Sequence, residues 1–440
     1  MFCPLFISSG AALAESSADQ SGSDQPAIFI ERVISDPDHF FGWSINKQTL
    51  VASPDGEHFA FYGMRLDNSR RRSSVVRDGE SVVVRKEPIG PIFSPDSQHL
   101  AYFYSNPTGQ WFLTVDHHPA QSDSPVCKPI FSPDSQRVAY WARVHKKIFF
   151  VDNGNRHHMY EAVRRGTLKA SPGSERWAYV AKHEGKWCVV VNDIPGPGYE
   201  DIGDTIAFSP DNARLAYWAK RSDDLWVVVV NGKEVLDTLC RAHAGLVFSP
   251  DSSRFAYFAR RHADWILVVN DKEVRSHQWV DGESLIYSPD SRRLAYVAGE
   301  DSRRFVVIDG KPGPSYQNIH ASSIIYSPDS RKIAFIADVG DGQCVVVDQS
   351  GSEVYDSIQQ IAFSPDSDST AWVGERDGRF HVIINGIATR ESFKFIISGC
   401  ELTFVDNARV RVAGFHDPET VLAQLEVDLP RRWAAVDEGP

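Results

Sequence analysis

Short runs in which small and large apolar residues alternate return along the whole chain: LAYFYS, VAYWAR, WAYVAK, LAYWAK, FAYFAR, LAYVAG and IAFIAD. Alternation with a period of two, rich in aromatic and branched side chains, predicts a strand with two differently used faces. Ahead of each run stands a corner of the form S-P-[DG]-x. Its serine falls at Ser53, Ser94, Ser132, Ser171, Ser209, Ser249, Ser288, Ser327 and Ser364, with a mean step of about 39 residues. A tenth, eroded copy is Phe404-Val405-Asp406-Asn407. Alanine recurs just inside each run, at Ala60, Ala101, Ala139, Ala178, Ala216, Ala256, Ala295, Ala334 and Ala371, and an aromatic residue follows it each time. A small residue beside a large one at one place in every unit is what interdigitating sheet faces require.

The corner has its own chemistry: proline presets φ, and Asp and Ser bond back to nearby amides. It joins the first strand of a unit to the second. Valine-rich runs follow and end in Asn231-Gly232, Asp309-Gly310 or Asn385-Gly386, pairs that favour the tight turn of a third strand into a fourth. Several fourth strands carry Tyr before an acid or amide, as in Tyr160-Glu161, Tyr199-Glu200, Tyr316-Gln317 and Tyr355-Asp356. Four antiparallel strands per unit make a propeller blade.

The expected fold is therefore all-β, a β-propeller of about ten four-stranded blades over residues 28–430. After the tenth corner only three strands can be read: ELTFVD, RVRVAGF and TVLAQLEVDL. The stretch IFIERVI at 28–34 would complete that last blade, so that the N-terminal strand closes the ring and hides two sheet edges. Ten blades exceeds the usual four to eight, which leaves an open ring or two smaller propellers as alternatives.

The repeats in IFSPDSQHLAY, AFSPDNARLAY and IYSPDSRKIAF, followed by V-V-V-[ND]-G, resemble the WD40-like β-propeller repeats of bacterial TolB-type proteins over about residues 48–415. The resemblance implies an exported protein that binds a protein or peptide on a rim or in the central channel. It departs from TolB itself, whose α/β domain ahead of the propeller has no counterpart pattern before residue 28.

Composition narrows the function. With 46 basic and 58 acidic side chains the formal charge is −12, which disfavours binding to nucleic acid or anionic lipid. Apolar Phe2–Leu13 with Ala12-Leu13-Ala14 reads as a signal peptide over 1–14, although no basic residue precedes it. Residues 15–27 read as a flexible spacer and 431–440 as a tail, and the expected location is periplasmic or secreted. No other segment is apolar enough for a membrane span. Six scattered cysteines, Cys3, Cys127, Cys188, Cys240, Cys344 and Cys400, with no C-x-x-C, read as apolar core residues.

The corner aspartates Asp55, Asp96, Asp134, Asp211, Asp251, Asp290, Asp329 and Asp366 would circle one face, with Gly173 in the fourth unit. Turn chemistry accounts for them without calcium. On the opposite face the loops after the second strands are basic: Arg143, His145, Lys146 and Lys147; Lys182 and His183; Lys220 and Arg221; Arg260, Arg261 and His262. Solvated loop charge explains such residues, and so does a positive arc that steers an acidic partner; Arg143, Lys146, Lys182, Lys220, Arg221, Arg260 and Arg261 are the candidate rim. The pairs His117-His118 and His157-His158 lack metal-ligand spacing, and there is no G-x-S-x-G elbow. The expected function is a non-catalytic binding scaffold with no cofactor or metal. The alternative is a hydrolase or lyase acting on glycans or peptides in the central channel. Oligomeric state and ligand identity stay open.

Overall fold

A computed structural model describes residues 29–33, 43–46, 49–67, 70–84, 87–222, 225–240, 242–261, 263–396, 402–407, 409–415 and 422–428. The signal, spacer and tail assignments, as well as Cys3, Cys400 and His262, lie outside the described residues. Among the described residues the elements are strands, joined by turns and two single-turn 3-10 segments, Gly282–Ser284 and Ala321–Ser323. No helix is long and apolar enough to cross a membrane.

The strands form ten antiparallel sheets of four or five strands, and sequence neighbours pair within each sheet. The fifth shows the plan in full: Asp201–Phe208, Leu215–Lys220, Trp226–Val230 and Lys233–Cys240. The corner Ser209-Pro210-Asp211-Asn212 links its first two strands and Asn231-Gly232 its last two, so both turns lie on one face of the molecule. Asn231 and Gly232 have φ of 49° and 75°, the left-handed pair that the tight hairpin needs.

The core lies between sheets. Along Leu215–Lys220, Ala216 and Trp218 pack toward the sixth sheet with Phe255, Tyr257 and Ala259, while Leu215, Tyr217 and Ala219 pack toward the fourth with Val180 and Val189. Every one of the nine successive sheet pairs has such an apolar cluster. The recurrent alanines are fully buried, because two sheets about 10 Å apart can interleave only where a small residue faces a large one. These are the blades of a β-propeller repeat fold.

The corners also tie blade to blade. Ser249 Oγ donates to Asp251 Oδ1 and accepts the Arg254 amide, and Asp251 Oδ1 accepts the Ser253 amide. All of this is local, as turn chemistry predicts. The fourth corner residue behaves differently from the expectation. Its side chain turns away from its own corner and accepts the amide of the third residue of the preceding corner, 2.9–3.0 Å away: Asp55 to Ser97, Asp96 to Ser135, Asp134 to Ser174, Gly173 to Asn212, Asp211 to Ser252, and so on to Asp366 and Asn407. Nine hydrogen bonds thus run through all nine junctions. The residue reaches across because it sits at positive φ, between 59° and 70° for Asn212 and the seven serines, a region that Asn and Ser enter more readily than bulkier residues.

The residue that precedes the second strand adds a second tie. Arg214 reaches the Ser252 carbonyl and lies 4.6 Å from the centre of the Phe248 ring in the next sheet. Arg137, Arg176, Arg254 and Arg293 stack likewise on an aromatic ring of the following sheet, and Lys332 donates to the Ser367 carbonyl at 2.9 Å. The [KR] of the repeat is a staple between blades.

First strands are broken in several sheets, and a hydroxyl repairs the ladder. Thr49, Thr167, Ser284 and Ser323 each stand four residues before the corner serine; each accepts a second-strand amide at 2.7–3.0 Å and donates to a carbonyl three residues back. Gly90 and Gly245 occupy the same place at φ of 45° and 59°, where a bulge takes over. At the chain ends, Phe29–Val33 pairs antiparallel with Leu422–Asp428 in the tenth sheet. From that sheet the Arg411 guanidinium donates to the Asp55 carbonyl and approaches Glu57 at 3.3 Å, both in the first corner.

Candidate binding surfaces

Two turns per sheet, the corner and the third-to-fourth hairpin, make one face; the loops between second and third strands make the other. On the corner face the aspartates are occupied. Hydrogen bonds from Ser94 and from the Gln98 amide hold Asp96 below the usual carboxylate range, and the same pair of contacts acts on Asp134, Asp211, Asp290 and Asp329. Their regularity is that of the frame.

On the opposite face Arg143, His145, Lys146 and Lys147 are all exposed around one hairpin of the third sheet. Lys182 is half-buried and His183 exposed in the fourth sheet, Lys220 and Arg221 are half-buried in the fifth, and Arg260 is exposed in the sixth. Arg261 ends the strand Phe255–Arg261, in register with Asp264. The topology brings all seven candidates to one rim over four successive sheets. They are unequal there: Arg221 is paired with Glu234 at 3.2 Å, and Arg260 lies over Trp265. Neighbouring Lys186 is paired with Glu200. Among the described residues Arg143, Lys146 and Lys147 have no acidic partner, and they are the densest group of exposed positive charge on the rim.

His157 and His158 face one carboxylate. His158 Nδ1 lies 2.7 Å from Asp193 and His157 Nδ1 lies 3.5 Å from it. Burial works to raise the Asp193 carboxyl, but the His158 contacts outweigh it and hold it low. Among the described residues no three His, Cys, Asp or Glu side chains come together as metal ligands. Cys188, Cys240 and Cys344 are buried and outside any disulfide, Cys127 is half-buried, and burial pushes the Cys188 thiol up to about 11. On the first-strand side of the eighth sheet, His320 Nε2 meets Asp338 at 2.8 Å and Gln343 lies within 3.1 Å of the same carboxylate.

A cleft of about 580 Å³ opens on the corner face between the second and third sheets, and the sequence reading did not anticipate it. Its floor is Leu113, Val115, Phe131, Val138 and Tyr140; its edges are His99, Asp116, His118, Gln121, Ser135, Gln136 and Asn153. His99 is hydrogen-bonded to Asp116, which also accepts the Leu100 amide and the Arg77 guanidinium at 3.0 Å each. Burial works against ionisation of Asp116, and these contacts overcome it and keep the carboxyl below its ordinary value. One signal was available in the sequence: His99 stands where Arg137, Arg176, Arg214, Arg254, Arg293 and Lys332 stand in other units.

No protein-family model matches the chain, and no curated protein matches it. Among solved structures, a eukaryotic initiation factor is similar at 12% identity over 77% of this chain and 96% of that one, with a TM-score of 0.47. TolB from Acinetobacter baumannii is similar at 15% identity over 60% and 77% of the two chains, with a TM-score of 0.29. The Dos1 propeller is similar at 12% identity over 66% and 90%, with a TM-score of 0.37.

Proposed function

We propose that this chain is an exported, non-catalytic scaffold built on WD40-like repeats of the TolB type, which binds an acidic protein or peptide through its basic rim. One observation carries the reading: the polar residues that repeat are engaged in holding blades together, whereas the side chains of Arg143, Lys146 and Lys147 stand exposed around one hairpin and take no part in those ties. On a molecule of net charge −12, a local positive edge attracts an acidic partner that the rest of the surface repels.

The scaffold is one ring of ten blades in this reading. Support comes from the strand Phe29–Val33, which pairs with the last sheet, and from Arg411, which reaches the first corner. Closure by the chain's own end removes the two edges on which an open array would aggregate.

Affinity capture from cell-envelope extract with the chain lacking residues 1–14 tests the function. One enriched acidic partner is expected, and Arg143→Glu with Lys146→Glu should abolish its capture with no loss of thermal stability. Undiminished capture by that double variant overturns the rim as the site.

A further inference from the structure

The cleft between the second and third sheets is the place of a missing staple. At three junctions the staple cation lies against the aromatic ring just before the next corner, Arg176 on Phe208, Arg214 on Phe248 and Arg293 on Tyr326, and reaches the carbonyl of that corner's fourth residue, Asn212, Ser252 or Ser330. At the first junction His58 holds the position, and Arg77 substitutes from the third strand, 5.5 Å from the Phe93 ring and bonded to the Gln98 carbonyl. In the second sheet neither source exists. His99 is too short and turns back to Asp116, and the residue matching Arg77 is Val115. In the ninth sheet Ser369 holds the position, but it faces a shortened corner, closed from Val405 to Arg409.

The receiving half of the staple is nonetheless intact. Phe131 and Ser135 correspond to Phe248 and Ser252, both line the cleft, and Asp116 supplies a carboxylate at its edge. We infer that this cleft binds the arginine side chain of a peptide segment, whose guanidinium takes the staple position over Phe131 and donates to the Ser135 carbonyl. Guanidinium fits better than ammonium because all five stacked corner staples, and Arg77, are offered by the fold itself in that planar form on a ring. The volume, about 580 Å³, exceeds one side chain and lies in the range of ligand pockets, so residues flanking the arginine enter as well. Acidic Asp96, Asp116 and Asp134 on the same face add charge complementarity. This site stands on the corner face, apart from the basic rim, and does not depend on it.

The probe is the tripeptide acetyl-Gly-Arg-Gly-amide, compared with its citrulline analogue, which keeps the shape and loses the charge. Isothermal titration calorimetry of the full chain should give saturable binding of the arginine peptide and at least tenfold weaker binding of the citrulline peptide. His99→Arg fills the position from within: it should raise the melting temperature and abolish the response. Phe131→Leu, with its own melting curve as the control for folding, should weaken binding at least tenfold. Equal binding of both peptides, no binding to the wild-type chain, or an undiminished response in His99→Arg overturns the inference. Arg143→Glu with Lys146→Glu should leave peptide binding unchanged, so failure here and failure of the rim reading are read separately.

Discussion

The Asp251 amide donates to the Ser291 hydroxyl at 2.9 Å, forty residues away and across the boundary between two blades. Ser291 is 2% exposed and sits at φ of 64°. Ser291→Ala leaves that amide without its acceptor, which should cost about 1–3 kcal/mol. Ser291→Asn should recover most of the loss, since Asn212 and Asn407 serve as acceptors in other corners. Thermal melting of both variants decides it; equal melting of the alanine variant and wild type would remove the inter-blade bond as a source of stability.

Arg214 offers a second tie through its ring contact with Phe248 and its bond to the Ser252 carbonyl. Arg214→Ala should destabilise by about 2–4 kcal/mol, the sum of one half-buried cation–π contact and one charged hydrogen bond. Arg214→Lys should fall between, as Lys332 keeps the carbonyl contact at 2.9 Å. Unfolding in urea orders the three proteins.

Ala298 is fully buried against Phe258 and Leu267 of the neighbouring blade. Ala298→Leu forces extra volume between two interleaved faces and should lower stability by about 1–3 kcal/mol. A leucine at an exposed strand position such as Lys311 should leave melting within experimental error.

His277 is buried, and its Nε2 lies 2.8 Å from the Tyr296 hydroxyl. Burial, helped by the nearby Arg275 charge and opposed by Glu300, lowers its pKa from the ordinary 6.5. The unfolded chain therefore binds this proton more readily than the folded one, so stability is full above about pH 6.5 and falls as the solution is acidified through that value. His277→Gln should flatten the decline of melting temperature between pH 7 and pH 5. A decline as steep as in wild type would show that His277 does not drive it.

The frame was legible in the sequence because each of its devices repeats at a fixed offset. Proline corners and Asn-Gly hairpins act within one unit, Ala-aromatic pairs lie side by side in one strand of it, and a unit is what periodicity displays. The role of Ser97 or Asn212 was hidden for the opposite reason. Its partner lies in the preceding unit, about forty residues back, and a local turn already explained a serine there. Thr49, Thr167, Ser284 and Ser323 share an offset from the corner, but the bulging Gly90 and Gly245 occupy it in other units and blur the column. The rim was legible as charge, whereas the pairing of Arg221 with Glu234 needed coordinates. The cleft was written as a gap in a column of Arg and Lys, but His58 and Ser369 interrupt the same column, and only the geometry shows that the gap at His99 has a volume.

Closure is tested most directly by joining the paired ends. Glu31 and Leu425 are register partners in the antiparallel pair between Phe29–Val33 and Leu422–Asp428. Glu31→Cys with Leu425→Cys, in a background with the six native cysteines replaced by alanine or serine, should form an intramolecular disulfide under mild oxidation. Faster migration on a non-reducing gel and a higher melting temperature would report it. Two thiols that stay free in the folded, monomeric protein would contradict a ring closed by its own N-terminal strand.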